Sequence, residues 1–407
     1  MIPIHPEPLQ TIPARVVDSY LKPGLLNLPA LPPLSLYVHF PWCVRKCPYC
    51  DFNSHEVSGE LPEAEYLAAL RADLEQSLPL VWGRKIISVF IGGGTPSLMS
   101  AQGMDRLLSG VRSLLPLEAD AEVTMEANPG TFEADKFRAF ASSGVNRLSI
   151  GIQSFNSSHL KALGRIHNGD EARRAVEIAR DNFSNLTLDL MYALPQQTLQ
   201  QAEEDVRTAL GFAPTHLSLY HLTMEPNTVF AKYPPDLPDD DASAEMQQML
   251  IDTTAAAGFD HYEVSAYARA GHRSRHNLNY WQFGDYLGIG AGAHSKLSFP
   301  HRIVRQARYR QPASYVQQAM AGNAVAEDTE IGREALGFEF MLNALRLTDG
   351  VEVRLFSERT GLSLNGLDQS LDAAEAKGLL RRDHLRIAPT LLGQRFLNDL
   401  QQMFLPD

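Results

Sequence analysis

The sequence contains very little cysteine and lacks the features of a secreted or membrane protein. Only 3 of its 407 residues are cysteine, and all lie between positions 43 and 50, so they cannot form a disulfide framework. No apolar run approaches the length of a membrane span. The first 33 residues lack a basic start and are interrupted by prolines, which makes them a poor secretory signal. We therefore expect a cytoplasmic protein.

Basic charge is also scarce. Lysine and arginine total 36 against 48 aspartates and glutamates, which gives a formal net charge of −12. Because broad binding to nucleic acid or to an anionic membrane needs a basic surface, this charge argues against both kinds of partner. The apolar fraction of 44% is ordinary for a globular chain with a large core.

The three cysteines that are present have the spacing C-x3-C-x2-C, at Cys43, Cys47 and Cys50. Three interpretations compete. The thiols are unpaired structural groups, or they bind zinc with His39 or His55 as the fourth ligand. Alternatively, three thiolates hold a [4Fe–4S] cluster and leave one iron open for a small molecule. The spacing favours the cluster without excluding the others.

Strand-like and helix-like segments alternate along most of the chain. The strand-like runs are 34–40, 85–93, 122–128, 147–155, 185–195 and 215–224, and the helix candidates between them include 62–78, 133–144, 170–181 and 198–212. This alternation predicts an α/β fold with parallel strands buried on both faces. The pattern suits a whole or partial barrel, and an open doubly wound sheet also fits it.

Polar or glycine residues stand at the carboxyl ends of several predicted strands, where barrel enzymes place their sites. They include Glu126, Asn128, Gln153, Ser154 and Asp189. The segment "GGGTP" at 92–96 follows a buried strand, and its glycines would let a ligand approach the backbone closely. A second glycine run, "GIGAGA" at 288–293, does not fit the dinucleotide-binding pattern, because neither a clear helix nor the expected acidic residue follows it.

The cysteine spacing after the first strand, the "GGGTP" turn after the second and the strand order together resemble radical S-adenosylmethionine (SAM) enzymes. The segment "YVHFPWCVRKCPYCDF" is similar to the corresponding segment of the branch that contains oxygen-independent coproporphyrinogen III dehydrogenase and the HemW-type haem chaperones. The resemblance implies a partial (β/α)6 TIM-like barrel with a small C-terminal winged-helix-like domain. It also implies a [4Fe–4S] cluster on the three cysteines, whose electron cleaves SAM to methionine and a 5′-deoxyadenosyl radical. The positions that match the family's SAM contacts are Tyr37, Tyr49, Gly93, Gly94, Thr95, Glu126, Gln153, Arg165 and Asp189.

Two functions from different classes remain within this branch: a chaperone that binds haem and delivers it to client proteins, and a dehydrogenase that decarboxylates two propionates of coproporphyrinogen III. The dehydrogenases carry a fourth cysteine where this chain has Phe52. The segment "HNLNYW" at 276–281 matches a motif of the chaperone branch, with His276 as an iron ligand and Tyr280 and Trp281 as ring contacts. We therefore favour the chaperone and rank His272 and His294 lower as ligands. Taken alone, the segment would more often be a packed aromatic pair beside a surface histidine.

The resemblance also predicts the domain order and the partners. We expect a proline-rich leader at 1–33, a radical SAM core at 34–260, an extension with the haem motif at 261–325 and the C-terminal domain at 326–407. Such a leader is more typical of the dehydrogenases, and its prolines indicate a loosely ordered tail. The expected partners are haem and haem-requiring, respiratory client proteins, with no nucleic acid, and any contact with a membrane would be peripheral and through a client.

Overall fold

Parallel strands form the centre of the molecule. The computed structural model describes residues 26–131 and 133–406, so residues 1–25 of the predicted leader lie outside the described residues. The predicted strands are present as β1 (Leu34–Phe40), β2 (Ile86–Gly93), β3 (Leu117–Ala127), β4 (Arg147–Gln153), β5 (Leu186–Tyr192) and β6 (His216–His221). Each pairs in parallel with the next. The α/β fold is confirmed.

Further strands extend this sheet at both edges. They are β7 (Asp260–Glu263), β8 (Ala266–Ala268), β9 (Asp285–Ile289), β10 (His294–Phe299), β11 (Arg302–Arg308) and β12 (Val325–Glu330). The strand order is β12-β11-β10-β9-β1-β2-β3-β4-β5-β6-β8-β7, and β9 runs parallel to β1 while the outer pairs are antiparallel. Within the described residues no pairing joins β12 to β7, so the sheet is open, as a partial barrel requires.

Helices connect the strands and lie along the sheet. They are α1 (Glu63–Ser77), α2 (Ala101–Leu114), α3 (Ala134–Ser143), α4 (Ser157–Ala162), α5 (Gly169–Asn182), α6 (Leu199–Gly211), α7 (Val229–Lys232), α8 (Asp240–Ala256), α9 (Arg275–Trp281) and α10 (Pro312–Met320). Local sequence sets several ends: Asn168 and Glu171 form a capping box that starts α5. Gly144, with φ of 108°, ends α3. Among the described helices, none combines the length and the apolarity that crossing a bilayer requires.

The end of the chain forms a second apolar cluster beside the sheet. It contains α11 (Leu336–Ala344), α12 (Val353–Thr360), α13 (Asp368–Ala376), α14 (Leu391–Arg395) and α15 (Leu397–Gln402), with a small antiparallel sheet of β13 (Val351–Glu352), β14 (Leu380–Arg382) and β15 (Arg386–Pro389). Helices followed by a two-stranded wing are the arrangement that the resemblance implies. Leu26 and Leu28, which precede β1, are buried in this cluster.

A buried ion pair ties β11 to α1. Nη2 of Arg308 lies 3.2 Å from Oδ1 of Asp73, and both side chains are at most 1% exposed. The hydroxyl of Tyr315 also donates to Asp73, at 2.8 Å. Because a charge this deep is costly when unpaired, these contacts hold α1 and α10 against β11.

Candidate functional site

A cavity of about 320 Å³ opens at the carboxyl ends of the parallel strands. Its walls come from the loop after β1 and from the ends of β2 to β6. Most of the sequence-predicted SAM and cluster residues line it: Cys43, Cys47, Tyr49, Cys50, Gly93, Gly94, Thr95, Glu126, Gln153, Arg165 and Asp189. Tyr37, His276, Tyr280 and Trp281 do not line this cavity.

The three thiols face this cavity together. All three are half-buried and free of disulfides. Burial, and then the neighbouring thiols, raise the pKa of Cys43, while a hydrogen bond from Thr95 lowers it. Burial likewise raises the pKa of Cys50. Thiolates that repel one another in this way are stabilised when a metal cation binds them, so the donor set fits an iron–sulfur cluster.

His39 does not fit the zinc alternative. Nε2 of His39 donates to the carbonyl oxygen of Asn53 at 2.9 Å, and Nδ1 accepts from the Tyr37 hydroxyl at 2.9 Å. Burial lowers the pKa of His39 to about 4, so the ring is neutral and both nitrogens are engaged. In the described part of the chain, no three His, Cys, Asp or Glu side chains are placed to hold a single metal ion. A closed zinc site with His39 as the fourth ligand is therefore disfavoured. Nε2 of His55 is buried and has no hydrogen-bond partner among the described residues.

Two glycines of the "GGGTP" turn are required by close packing against the cysteine loop. Gly93 has φ of 113°, and a β-carbon there would lie 2.5 Å from Cε1 of His39. A β-carbon at Gly94 would collide with the carbonyl oxygen of Trp42. The Gly94 amide donates to the carbonyl oxygen of Phe40 at 2.7 Å, so the turn and the cysteine loop form one wall.

Two carboxyl groups face the cavity from neighbouring parts of the sheet. Glu126 ends β3 and accepts a hydrogen bond from the Gly93 amide at 3.0 Å. Burial, and then the charge of Asp189, raise the pKa of Glu126 to about 8. Burial raises the pKa of Asp189 to about 6, although Ser149 donates to it at 2.8 Å. Groups poised near neutrality in a cleft are typical of binding and catalytic sites.

Gln153 and Arg165 contribute strained or unsatisfied groups to the same cavity. Gln153 has φ of 67°, which is uncommon for a residue with a side chain and marks a functional candidate. Nη1 of Arg165 donates to Sγ of Cys47 at 3.7 Å, and Nη2 donates to the Gly151 carbonyl at 2.8 Å. Nε of Arg165 is buried and has no hydrogen-bond partner within the described residues. That donor is available to an anionic ligand group.

The two tyrosines predicted for the SAM site are placed differently. Tyr49 lines the cavity and packs against Phe230, with ring centroids 6.3 Å apart. Burial raises the pKa of Tyr49 well above its usual range. Tyr37 lies beneath the cavity, where its ring stacks on Phe90 at 6.2 Å and its hydroxyl supports His39. Tyr37 therefore reaches the site only through His39.

The "HNLNYW" segment forms α9, which packs on the sheet away from the cavity. His276 is 4% exposed. Its Nδ1 is hydrogen-bonded to Oγ of Ser88 at 3.1 Å, and its backbone amide donates to Oε1 of Glu122 at 3.2 Å. Burial lowers the pKa of His276 to about 3. Ser88, the partner of His276, lies five residues before Gly93 on β2, which is roughly 16 Å along the strand. The contact between His276 and Ser88 is therefore far along the strand from Gly93, which lines the cavity.

The aromatic residues of the same segment are also packed. Tyr280 stacks on Tyr286 at 3.9 Å, and Arg346 lies over the ring of Trp281 at 4.3 Å. Of the lower-ranked histidines, His272 is partly buried and His294 is exposed at the start of β10. For His276 to ligate haem, α9 would therefore have to move, because its ring is enclosed and its Nδ1 is hydrogen-bonded to Ser88.

Several residues that line the cavity were missed by the sequence reasoning. They lie beside Cys50, at the end of β6 and in the segment after it: Asp51, Tyr220, His221, Thr223 and Glu225. The polar end of the run "HLSLYH" was the available signal, since it stands at a strand end like Glu126 and Asp189.

Comparisons with known proteins agree with this geometry. Residues 37–209 match the Radical SAM superfamily, and residues 331–396 match the HemN C-terminal domain. "Heme chaperone HemW" of Escherichia coli (strain K12) is 48% identical over 381 residues, which covers 93% of this chain and 99% of that protein. The protein of the same name from Haemophilus influenzae is 45% identical over 386 residues, with 93% and 100% covered. The predicted resemblance to the radical SAM superfamily and its haem-chaperone branch is confirmed.

More distant proteins share the architecture. "Radical S-adenosyl methionine domain-containing protein 1, mitochondrial" of Mus musculus is 35% identical over 387 residues, with 91% of this chain and 87% of that protein covered. The solved structure of coproporphyrinogen III oxidase (HemN) from Escherichia coli superposes with a TM-score of 0.78 at 22% identity, covering 97% of this chain and 93% of that one. At that identity the likeness establishes the fold alone.

Proposed function

Since this chain belongs to the HemW family of the radical SAM superfamily, we propose that it is a haem chaperone that binds a [4Fe–4S] cluster, SAM and haem. The family implies the cluster and SAM. Haem binding and delivery to haem-requiring, respiratory client proteins are the part proposed here. The observation that carries the proposal is the similarity to curated haem chaperones along almost the whole chain, including both matched domains.

The cluster is proposed to sit on Cys43, Cys47 and Cys50. Their half-buried thiols face one cavity, and the loop between them is closed by backbone bonds of neighbouring residues. When bound, a cluster with three protein ligands supplies one iron for a small molecule and one electron for its cleavage. Free thiols also suit a reducing compartment, which supports our expectation of a cytoplasmic protein.

SAM is proposed to occupy the cavity beside these thiols. The glycine turn presents backbone to the ligand, with Gly93 and Gly94 free of side chains and Thr95 adding a hydroxyl. The unsatisfied Nε of Arg165 suits the ligand carboxylate. The remaining polar contacts would come from residues on the wall: Tyr49, Glu126, Gln153 and Asp189. Tyr37 would act indirectly, by orienting His39 below the turn.

The alternative function is the oxidative decarboxylation of coproporphyrinogen III. The resembled dehydrogenases carry a cysteine at the position of Phe52, which in this chain is 58% exposed at the cavity. An exposed phenyl ring offers apolar contact in place of sulfur chemistry. This difference favours binding a porphyrin over transforming it.

The haem residues remain a prediction. His276, Tyr280 and Trp281 could contact haem only after α9 separates from β2, because His276 is 4% exposed. The division of the chain at 34–260, 261–325 and 326–407 is also a proposal. The boundary at 260 does not interrupt the sheet, because β9 to β11 of the extension pair in the same sheet as β1.

The test uses anaerobically purified protein that carries its cluster. We expect it to bind haem and pass it to an apo-haem protein, and to produce no protoporphyrinogen IX from coproporphyrinogen III with SAM and reductant. The Cys47→Ser variant controls for effects of the cluster. Efficient conversion of coproporphyrinogen III would instead establish the dehydrogenase.

A further inference from the structure

The end of β4 carries a β-bulge at the point where Gln153 meets the cavity. Gly151 pairs with Asp189 on β5. Gln153, two residues later, pairs with Leu190, which is the next residue of β5, so β4 has an extra residue at this point. That residue is Ile152. A bulge beside a site re-aims the side chain that follows it, and here Gln153 follows with φ of 67° and lines the cavity.

The re-aimed side chain lies beside Arg165. A β-carbon at Gly151 would lie 2.9 Å from Nε2 of Gln153 and 3.5 Å from Nη2 of Arg165. The two polar side chains therefore lie together above this glycine, and both line the cavity. Because Nε of Arg165 has no hydrogen-bond partner among the described residues, the position of Gln153 determines which polar group a ligand meets next to that free donor.

The turn that follows the bulge is held by a buried carboxylate. Asp205 of α6 is 5% exposed. Its Oδ1 accepts a hydrogen bond from the Phe155 amide at 2.7 Å, and its Oδ2 accepts one from the Ser154 hydroxyl at 2.6 Å. The Ser154 oxygen in turn accepts from the Asn156 amide at 3.0 Å. One carboxylate thus fixes, directly or through Ser154, the polar groups of the turn at 154–156.

The contact with Asp205 needs an ionised carboxylate and not only a side chain of that size. Both partners on the turn donate, and a carboxylate offers acceptors alone, whereas an asparagine would turn an NH2 group towards one of them. Asp205 does not line the cavity, so it can affect a ligand only through the turn. A different contact holds the bulged residue itself, since Nε2 of His167 donates to the Ile152 carbonyl at 3.1 Å.

We propose that Asp205 is a positioning residue for SAM, which holds the turn after β4 so that the Gln153 side chain stays on the cavity wall beside Arg165. This inference rests on the proposed binding of SAM in the cavity. A left-handed backbone at a residue with a side chain is costly and persists only where its surroundings enforce it. The bonds from Phe155 and Ser154 to Asp205 supply that enforcement directly after Gln153.

The proposal is tested by titrating SAM into the full chain with its reduced cluster and following the EPR spectrum. Asp205→Asn should raise the SAM concentration at half-maximal change about tenfold, because a buried donor of the turn loses its acceptor. The iron and sulfide contents should stay at the wild-type level. Ser154→Ala should have a smaller effect in the same direction. Glu203→Gln, whose carboxylate pairs with exposed Arg207 on the same helix, is the matched control and should change nothing.

A double variant separates positioning from general stabilisation. Gln153→Ala should weaken SAM binding by itself, and adding Asp205→Asn should cause no further loss, because Asp205 acts through Gln153. If Asp205→Asn does not yield folded protein, Ser154→Ala in the Gln153→Ala background gives the same comparison. An additive loss in the double variant, or wild-type SAM affinity in Asp205→Asn, overturns the positioning role and leaves the SAM site standing. A wild-type spectrum that does not respond to SAM overturns both.

Discussion

Replacing Glu126 by glutamine tests whether the cavity holds a neutral carboxyl group at physiological pH. Burial, and then Asp189, raise the pKa of Glu126 from its ordinary value of 4.5 to about 8. Between these values the folded protein keeps a proton that the unfolded chain has released. Stability therefore falls as pH rises through this window, with a limiting slope of about 1.4 kcal/mol per pH unit. Below the window both states are protonated, and above it neither is, so the slope vanishes on both sides.

The glutamine variant keeps an acceptor for the Gly93 amide and removes the ionisation. Solvent in the cavity screens the charge, so the observed slope should lie below the limit. We expect the melting temperature of Glu126→Gln to rise relative to wild type as pH increases, and the difference to level off above about pH 8. Glu245→Gln, an exposed carboxylate on α8, should show no such trend. A wild-type-minus-variant difference that stays constant with pH would refute a neutral Glu126.

The remaining predictions concern the cluster, SAM and the fold. Serine at Cys43, Cys47 or Cys50 should abolish the brown absorbance and the sulfide content of reconstituted protein, whereas stoichiometric zinc without sulfide in wild type would contradict the cluster. Arg165→Ala should weaken the change that SAM causes in the EPR spectrum of the reduced cluster and leave iron content unchanged; a wild-type spectrum indifferent to SAM would count against the site. Asp73→Ala should lower the free energy of unfolding by about 3–5 kcal/mol, because it leaves Arg308 buried and unpaired. The control Arg71→Ala, whose partner is the exposed Glu75 on the same helix, should lower it by about 1 kcal/mol or less. Equal losses for the two variants in urea unfolding would rule out this reasoning.

Local sequence was sufficient to predict the parallel strands and the cavity wall. Strands alternate with helices at short range, and glycines and polar residues stand at strand ends, so the sequence alone assigns Gly93, Glu126 and Asp189 to one edge of the sheet. Their shared position follows from the parallel arrangement itself. The cysteine spacing acts over a single loop, and its meaning needs no distant contact.

Contacts between distant segments were not predictable in the same way. The pairing of β9 with β1 joins residues about 250 positions apart, and neither strand's sequence indicates which strand it pairs with. The burial of His276 depends on Ser88 and Phe90 of a remote strand, so the motif alone suggests an available imidazole. The left-handed backbone of Gln153 is invisible for another reason, since glutamine carries no preference for it.

Hydrogen bonds within the polypeptide hold the cysteine loop in place. The Thr95 amide donates to the carbonyl oxygen of Trp42 at 2.7 Å, and the Asn53 side chain donates to the carbonyl oxygens of Ala291 and Arg310, at 2.9 and 2.8 Å. In zinc fingers the metal supplies the folding free energy. Here backbone and side-chain hydrogen bonds fix the path of the loop as well, so Asn53, which lies outside the cysteine motif, helps to set the position of the three thiols.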